Sequence, residues 1–200
     1  ATVVDHLDET IDYLQRHQDI SEVILSGGDP LFIPFTRFKA VIDRLGDLDH
    51  LQRIRIHTRI PVTAPERITR QWESLFASLT KPLTIVLHCN HPNEIDPTCA
   101  ECLSRLRNTG ATLLSQSVLL RSINDNPGTL ITLYETLFEH GVLPYYLHLL
   151  DPAACTSHFS IAEHDAIEIW QQLQCQLPGY LVPRLVRETP GELSKQIVCK

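Results

Sequence analysis

Short apolar runs alternate along the chain with segments of helical periodicity. The strand-like runs are 23–25, 54–56, 83–87, 112–120, 144–150 and 180–186. Apolar residues recur at helical spacing in segments 35–45, 66–79, 97–106, 129–138 and 161–173. The first five runs begin about 30 residues apart, which is the length of one strand and its return helix. The alternation predicts a parallel α/β sheet with right-handed connections.

Polar residues lie at or near the C-terminal ends of these runs. They form the groups 26–29, 57–59, 88–91 and 148–151, whereas Gln116 and Ser117 lie within their run. In a barrel, such strand ends meet on one face, whereas an open sheet concentrates its site at one switch point. Polar groups on five consecutive strands therefore favour a barrel or a barrel-like arc.

The first polar group, SGGD, fits two roles. Gly27 and Gly28 can adopt positive φ and allow a ligand to approach the backbone, while Asp29 offers an acceptor to an ammonium or hydroxyl group. The other interpretation is a tight strand-to-helix turn with Asp29 as a capping residue. The motif alone leaves both open, and it is neither GxGxxG nor a phosphate loop.

Length, composition and net charge limit which classes of protein this chain can belong to. The 200 residues suit one domain, and a hydrophobic fraction of 43% is that of an ordinary globular protein. A net charge of −7 argues against nonspecific nucleic-acid binding, and no apolar run is long enough to span a membrane. No leader is recognisable and the six cysteines are scattered, so we expect reduced thiols in a cytoplasmic protein.

Lys195 is the lysine best placed for chemistry, because it follows the last strand-like run on an irregular loop. There it can form a Schiff base with a carbonyl cofactor, although a solvated surface lysine is the commoner case. Asp151 and Glu188 can clamp an ammonium group, or serve as loop and capping acids. Arg55 and Arg59 suit either an anionic ligand or surface ion pairs.

Two apparent metal motifs are weak. Cys99 and Cys102 fall inside a helical pattern with no second CxxC, so we predict that they are core residues. His88 and His91 lie on a strand end without an HExxH context, which favours a ligand contact over a zinc site.

Six motifs in order resemble one family. They are SGGDPL, RIHTRIPV, HPNEI, QSVLLRSIND, PYYLHLLD and GYLVPRLVRETPGELSK. Together they resemble the lysine 2,3-aminomutases, a radical S-adenosylmethionine (SAM) family, and most of all its bacterial members that serve elongation factor P. The resemblance extends from Ser21 to Lys195.

The resemblance implies a partial (β/α) barrel, taken here as a single domain over 1–200 with a cofactor-lysine loop at 188–195. It also implies pyridoxal phosphate (PLP), SAM and a [4Fe–4S] cluster. Lys195 matches the lysine that binds PLP, and Asp151 and Glu188 match the acids that hold the side-chain ammonium of the substrate. Other lysine mutases have Asp where Glu188 stands. The positions that match SAM contacts are Ser26, Gly27, Gly28, Asp29, His88 and Gln116.

The implied activity is conversion of L-lysine to β-lysine for elongation factor P, in functional association with its lysyl-transferring enzyme. No nucleic acid or membrane partner is implied, and the oligomeric state stays open. The CxxxCxxC loop that holds the cluster in the family is absent. We therefore expect the chain to be a piece of a longer protein, with its first strand and cluster cysteines upstream, and to be inactive alone. The alternatives are a non-radical PLP- or phosphate-binding barrel enzyme and a truncated, non-catalytic binding domain.

Overall fold

The computed structural model describes residues 6–151, 153, 155–189, 191–192 and 194–198. Cys199 and Lys200 lie outside the described residues. The chain divides into two compact units, one of Ala1–Leu87 with Glu101–Leu113 and one of His88–Ala100 with Leu114–Lys200. A single domain over 1–200 stays a prediction. No helix in the described ranges has the length and apolarity needed to cross a membrane.

The first unit contains three parallel strands and their helices. The strands are β1 (Glu22–Leu25), β2 (Arg53–Thr58) and β3 (Leu83–His88). The helices are α1 (Leu7–Arg16), α2 (Phe35–Gly46), the short α3 (Ile60–Thr63) and α4 (Arg70–Ala77). β1 pairs with β2 with Glu22 opposite Arg53, and β2 pairs with β3 with Ile54 opposite Leu83. The parallel pairing predicted from the alternation is confirmed for these strands.

Strand β2 illustrates how the sequence determines the two faces of this sheet. Ile54 and Ile56 are fully buried on one face, while Arg55 and His57 lie on the other. Helix α2 buries its predicted apolar stripe, and the rings of Phe38 and Trp72 lie 4.9 Å apart between their centroids. The core of the first unit therefore lies between the sheet and its helices.

The second unit contains the remaining strands and helices, and β3, α5 and β4 include residues of both units. The helices are α5 (Pro97–Asn108), α6 (Pro127–Glu139) and α7 (Glu163–Gln176). The strands are β4 (Thr112–Val118), β5 (Val142–His148), β6 (Arg184–Arg187) and β7 (Gln196–Ile197). β5 and β6 are parallel with Tyr146 opposite Arg184, whereas β6 and β7 are antiparallel with Val186 opposite Ile197.

Helix α6 has the start and stop expected from its sequence. Asn126 caps it by accepting a hydrogen bond from the Thr129 N–H at 2.9 Å, and Pro127 occupies the first turn, where a missing N–H costs little. Gly141 follows the helix with φ 78°, the left-handed conformation in which glycine commonly ends a helix.

Three sequence predictions were wrong or incomplete. The run 180–186 is not one strand: Gly179–Leu181 forms a 3₁₀ turn, and β6 begins only after Pro183, which has no N–H to give to a sheet. The helix predicted over 66–79 is shorter, because residues 65–67 form a separate 3₁₀ turn before α4. Helix α1 and strand β7 were missed.

Candidate functional site

The glycine turn, residues 26–29, follows β1 in the first unit. Gly27 and Gly28 have φ values of 82° and 56°, so both occupy the left-handed region predicted for them. A Cβ added at either would meet nothing within 4 Å, and both glycines are exposed. The conformation therefore requires glycine, and it leaves an open stretch of backbone that a ligand can approach.

The carboxylate of Asp29 is occupied by groups of its own unit. Oδ1 accepts hydrogen bonds from the Thr58 hydroxyl at 2.7 Å and the Leu31 N–H at 3.0 Å. Oδ2 accepts one from the Arg59 N–H at 2.6 Å. Asp29 thus ties the turn after β1 to the end of β2, in keeping with the turn-and-cap interpretation, and its contact with SAM stays a prediction.

Arg55, on β2, and Arg59, which directly follows β2, have different surroundings. Arg55 pairs with Glu22 at 3.2 Å, and both side chains are largely shielded from solvent. The ion-pair interpretation therefore holds for Arg55. Arg59 is exposed, and its backbone N–H is what binds Asp29.

The HPNE stretch of the second unit is a self-capped turn. Glu94 Oε1 accepts hydrogen bonds from the N–H groups of Asn90 and His91, both at 2.7 Å. His91 Nδ1 in turn accepts one from the Asn93 N–H at 3.1 Å. Capping therefore occupies that imidazole nitrogen, and His91 has a structural role in this turn.

A pair of asparagines joins this turn to the end of β4. Asn90 Oδ1 accepts a hydrogen bond from the Val118 N–H at 2.8 Å. Asn124, which is fully buried, donates to the carbonyls of Asn90 and Val118 and accepts from the Leu120 N–H at 2.7 Å. The sequence analysis named the motif QSVLLRSIND, which contains Asn124, but did not predict this structural role for it.

The structure brings together His88 and Gln116, the two SAM contacts predicted in the second unit. The side-chain amide of Gln116 donates a hydrogen bond to Nε2 of His88. Gln116 is 5% exposed and His88 is half-buried. The Asn90–Val118 bond lies two residues beyond each of them, so it positions the pair by joining the ends of their strands.

The lysine site, defined here as Tyr146, His148, Glu188 and Lys195, also lies in the second unit. Nζ of Lys195 donates a hydrogen bond to Glu188 Oε2 at 2.9 Å and lies 5.9 Å from the centre of the Tyr146 ring. The rings of Tyr146 and His148 meet edge to face at 5.6 Å between centroids. An amine is thus placed beside a carboxylate and one aromatic ring, by residues at or next to the ends of three strands.

Electrostatics in the lysine site favour the charged form of the acid. The hydrogen bond from Lys195 is the main cause that lowers the pKa of Glu188, followed by the charge of Lys195 and, more weakly, that of His148. His148 is only 8% exposed, whereas the Glu188 side chain is 61% exposed.

Asp151 lies three residues beyond the end of β5 and is exposed. It forms no hydrogen bond or ion pair with another described residue. Its predicted role toward a substrate ammonium stays a prediction.

The two cysteines of the CxxC lie on helix α5 and are fully buried, as predicted. Burial raises the pKa of Cys99 to about 11, so its thiol stays protonated. Among the described residues, no group of three or more His, Cys, Asp or Glu can hold a metal ion. With no CxxxCxxC in the sequence either, the described residues do not fit a [4Fe–4S] cluster.

Comparison with solved structures identifies the fold. A radical SAM methyltransferase from Sphaerobacter thermophilus matches 94% of this chain and 58% of its own with a TM-score of 0.66 and 15% identity. Streptococcus suis SuiB bound to S-adenosylmethionine matches 91% of this chain and 43% of its own with a TM-score of 0.65 and 11% identity. The predicted α/β partial barrel is therefore confirmed as the fold: it is the fold of the radical SAM enzymes.

Comparison with named proteins shows which enzymes the chain is similar to in sequence. The L-lysine 2,3-aminomutase of Haemophilus influenzae is 46% identical over 187 residues, covering 94% of this chain and 55% of the relative. That of Escherichia coli is 43% identical over 185 residues, covering 92% of this chain and 54% of the relative. The chain thus spans about half the length of these relatives. No protein-family model matches it. Over the shared region, the chain is a homologue of the L-lysine 2,3-aminomutases.

Proposed function

We propose that the protein is an isomerase, a radical SAM and PLP-dependent aminomutase that converts L-lysine to β-lysine for the modification of elongation factor P. It acts in the cytoplasm and uses a [4Fe–4S] cluster with ligands outside this sequence. The homology to L-lysine 2,3-aminomutases and the radical SAM fold support the class of reaction. The observation that carries the assignment to this site is the contact between Lys195 and Glu188.

The lysine site fits PLP. When bound, PLP supplies a conjugated ring through which a substrate amino group can migrate. Lys195 provides a primary amine that is 27% exposed at its side chain, so an aldehyde can reach it. Tyr146 places an aromatic face beside that amine, and the ring of His148 packs against Tyr146, which suits a planar ligand.

SAM contacts are proposed in each of the two units. In the first unit, the open glycine turn exposes backbone groups to which the methionyl part of SAM can bind. In the second unit, Gln116 and His88 form a hydrogen-bonded pair at adjoining strand ends. SAM supplies a radical only when a reduced cluster is present, so we expect no β-lysine from the 200-residue chain alone.

Substrate selection is assigned to the acids. Glu188, largely exposed and held in its charged form, and Asp151, exposed beyond β5, would bind the side-chain ammonium of lysine. Carboxylates at this position favour a basic amino acid over an acidic one.

The first test is reductive trapping of PLP. The protein is incubated with PLP, treated with borohydride, digested and mapped by mass spectrometry. We expect a pyridoxyl group on Lys195 and its loss in Lys195→Arg. Lys39, which is paired with Asp43 at 2.6 Å, and Lys81, which donates to the carbonyls of Leu48 and Leu51, serve as internal controls. Equal labelling of all three lysines would contradict the assignment of PLP to Lys195.

The second test addresses the reaction. The full-length protein, with its cluster reconstituted anaerobically, is supplied with SAM, PLP and isotopically labelled L-lysine, and the product is analysed by NMR. We expect labelled β-lysine, and none from the 200-residue chain. Cluster cysteines in the upstream reading frame would exclude the non-radical alternative.

A further inference from the structure

The contact between Lys195 and Glu188 joins two groups to which the proposed function gives separate tasks. Lys195 is to bind an aldehyde, which only its neutral amine can attack, and Glu188 is to bind a substrate ammonium. At 2.9 Å each group occupies the other. The pair therefore competes with both tasks.

The backbone determines this pairing. In the antiparallel ladder of β6 and β7, Val186 lies opposite Ile197 and Arg187 lies opposite Gln196. The next cross-strand position brings Glu188 opposite Lys195. Opposite charges at directly facing positions attract each other, so the contact follows from the register of the two strands.

Glu188 is the carboxylate that the Lys195 amine contacts. The amine also lies 5.9 Å from the centre of the Tyr146 ring, which offers a π face and not an anion. Glu192 lies on the same loop but accepts a hydrogen bond from Gln196. Because the hydrogen bond to Glu188 holds the Lys195 amine, this contact has to break before the amine can reach an aldehyde.

We propose that Glu188 is a positioning residue with two successive partners: the Lys195 ammonium before cofactor binding and the substrate ammonium afterwards. This inference rests on the proposed binding of PLP at Lys195. Condensation of the Lys195 ammonium with an aldehyde forms a carbon–nitrogen double bond and releases one water and one proton to solvent. The neutral imine nitrogen would have no N–H to donate to Glu188, and the carboxylate would then be available to another ammonium. Cofactor therefore binds first and lysine second.

The test compares three forms of the protein with the cofactor removed: the natural sequence, Glu188→Gln, and Glu192→Gln as a matched control on the same loop. The first readout needs no cofactor. Limiting acetic anhydride acetylates Lys195 and the reference Lys39 in the same chain, and mass spectrometry gives their ratio. The second readout is the rate of borohydride trapping of PLP on Lys195. Circular dichroism verifies that each variant is folded.

Because an exposed ion pair is weak, we expect Glu188→Gln to raise both Lys195 rates by about two- to fivefold. Glu192→Gln should leave both unchanged. Unchanged acetylation in Glu188→Gln, with PLP still trapped on Lys195, would overturn the role of Glu188 while leaving the proposed function in place. Faster acetylation without PLP on Lys195 in any form would overturn both.

Discussion

Two carboxylates that follow strands have opposite surroundings. Asp29, after β1, accepts three hydrogen bonds, from the Thr58 hydroxyl and two backbone N–H groups. Glu188, after β6, contacts the ammonium of Lys195 and has a side chain that is 61% exposed. The partners of Asp29 are fixed parts of the scaffold, whereas the partner of Glu188 is a reactive side chain. The residue type and its place on the strand do not separate a structural acid from a functional one; the exchangeability of its partner does.

The largest expected effect is the loss of Asp29. Asp29→Ala leaves two N–H groups and a hydroxyl without their acceptor, so we expect the free energy of unfolding to fall by about 3 kcal/mol. Asp29→Asn keeps one carbonyl oxygen and should lose about half as much. Urea denaturation followed by circular dichroism measures both. If Asp29→Ala cost no more than Glu188→Gln, the contrast between the two acids would be lost.

A substitution in the glycine turn should have an intermediate effect on the free energy of unfolding. Gly27→Ala places a Cβ at φ 82°, and the left-handed conformation costs about 1 kcal/mol for a residue other than glycine. Gly46→Ala is the matched control, since Gly46 ends helix α2 without a left-handed φ and an added Cβ there would meet nothing within 4 Å. We expect Gly46→Ala to be neutral or stabilising in the same urea assay. An equal cost at both sites would mean that the turn does not select glycine by conformation.

Replacement of Glu188 should have the smallest effect on the free energy of unfolding. Since the pair with Lys195 is solvent-exposed, Glu188→Gln should lower the free energy of unfolding by about 0.5 kcal/mol or less at pH 7. The pKa of Glu188 is lowered in the folded protein, so its contribution is present above the unfolded pKa and disappears as pH falls. Urea midpoints of the two forms should therefore begin to converge near about pH 4 and continue to do so as pH falls through the lowered pKa of Glu188. A difference that does not shrink as pH falls would show that packing, and not charge, accounts for it.

Much of the fold followed from local patterns. Helices α2, α5 and α6 and the central parts of β1 to β5 were predicted from periodicity, because each has an apolar face that the sequence displays. Strand β7 could not be predicted in this way, since it has two residues and its only pairing is with β6. Helix α1 did carry a signal, because Ile11 and Leu14 are buried on one face.

The site was less accessible to pattern reasoning. The pairing of Lys195 with Glu188 depends on the antiparallel register of β6 and β7. The separation of the two residues by seven positions in the sequence does not reveal that register. The resemblance supplied roles for both residues, but not their contact with each other. Asp29 looked equally suited to a ligand and to a turn; its three donors, two of them at the end of another strand, show its part in the turn, while its contact with SAM stays a prediction.

Asn124 has a consequence for the dynamics of the second unit. The amide protons of Val118 and Leu120 are held by the side chains of Asn90 and Asn124. Exchange of these protons with solvent requires the asparagines to release them, and Asn124 also bonds to the carbonyls of Asn90 and Val118. The turn after β3 and the end of β4 should thus open together, as one cooperative unit with matching hydrogen-exchange rates. We therefore expect one buried amide side chain to couple local opening across the region that holds His88 and Gln116.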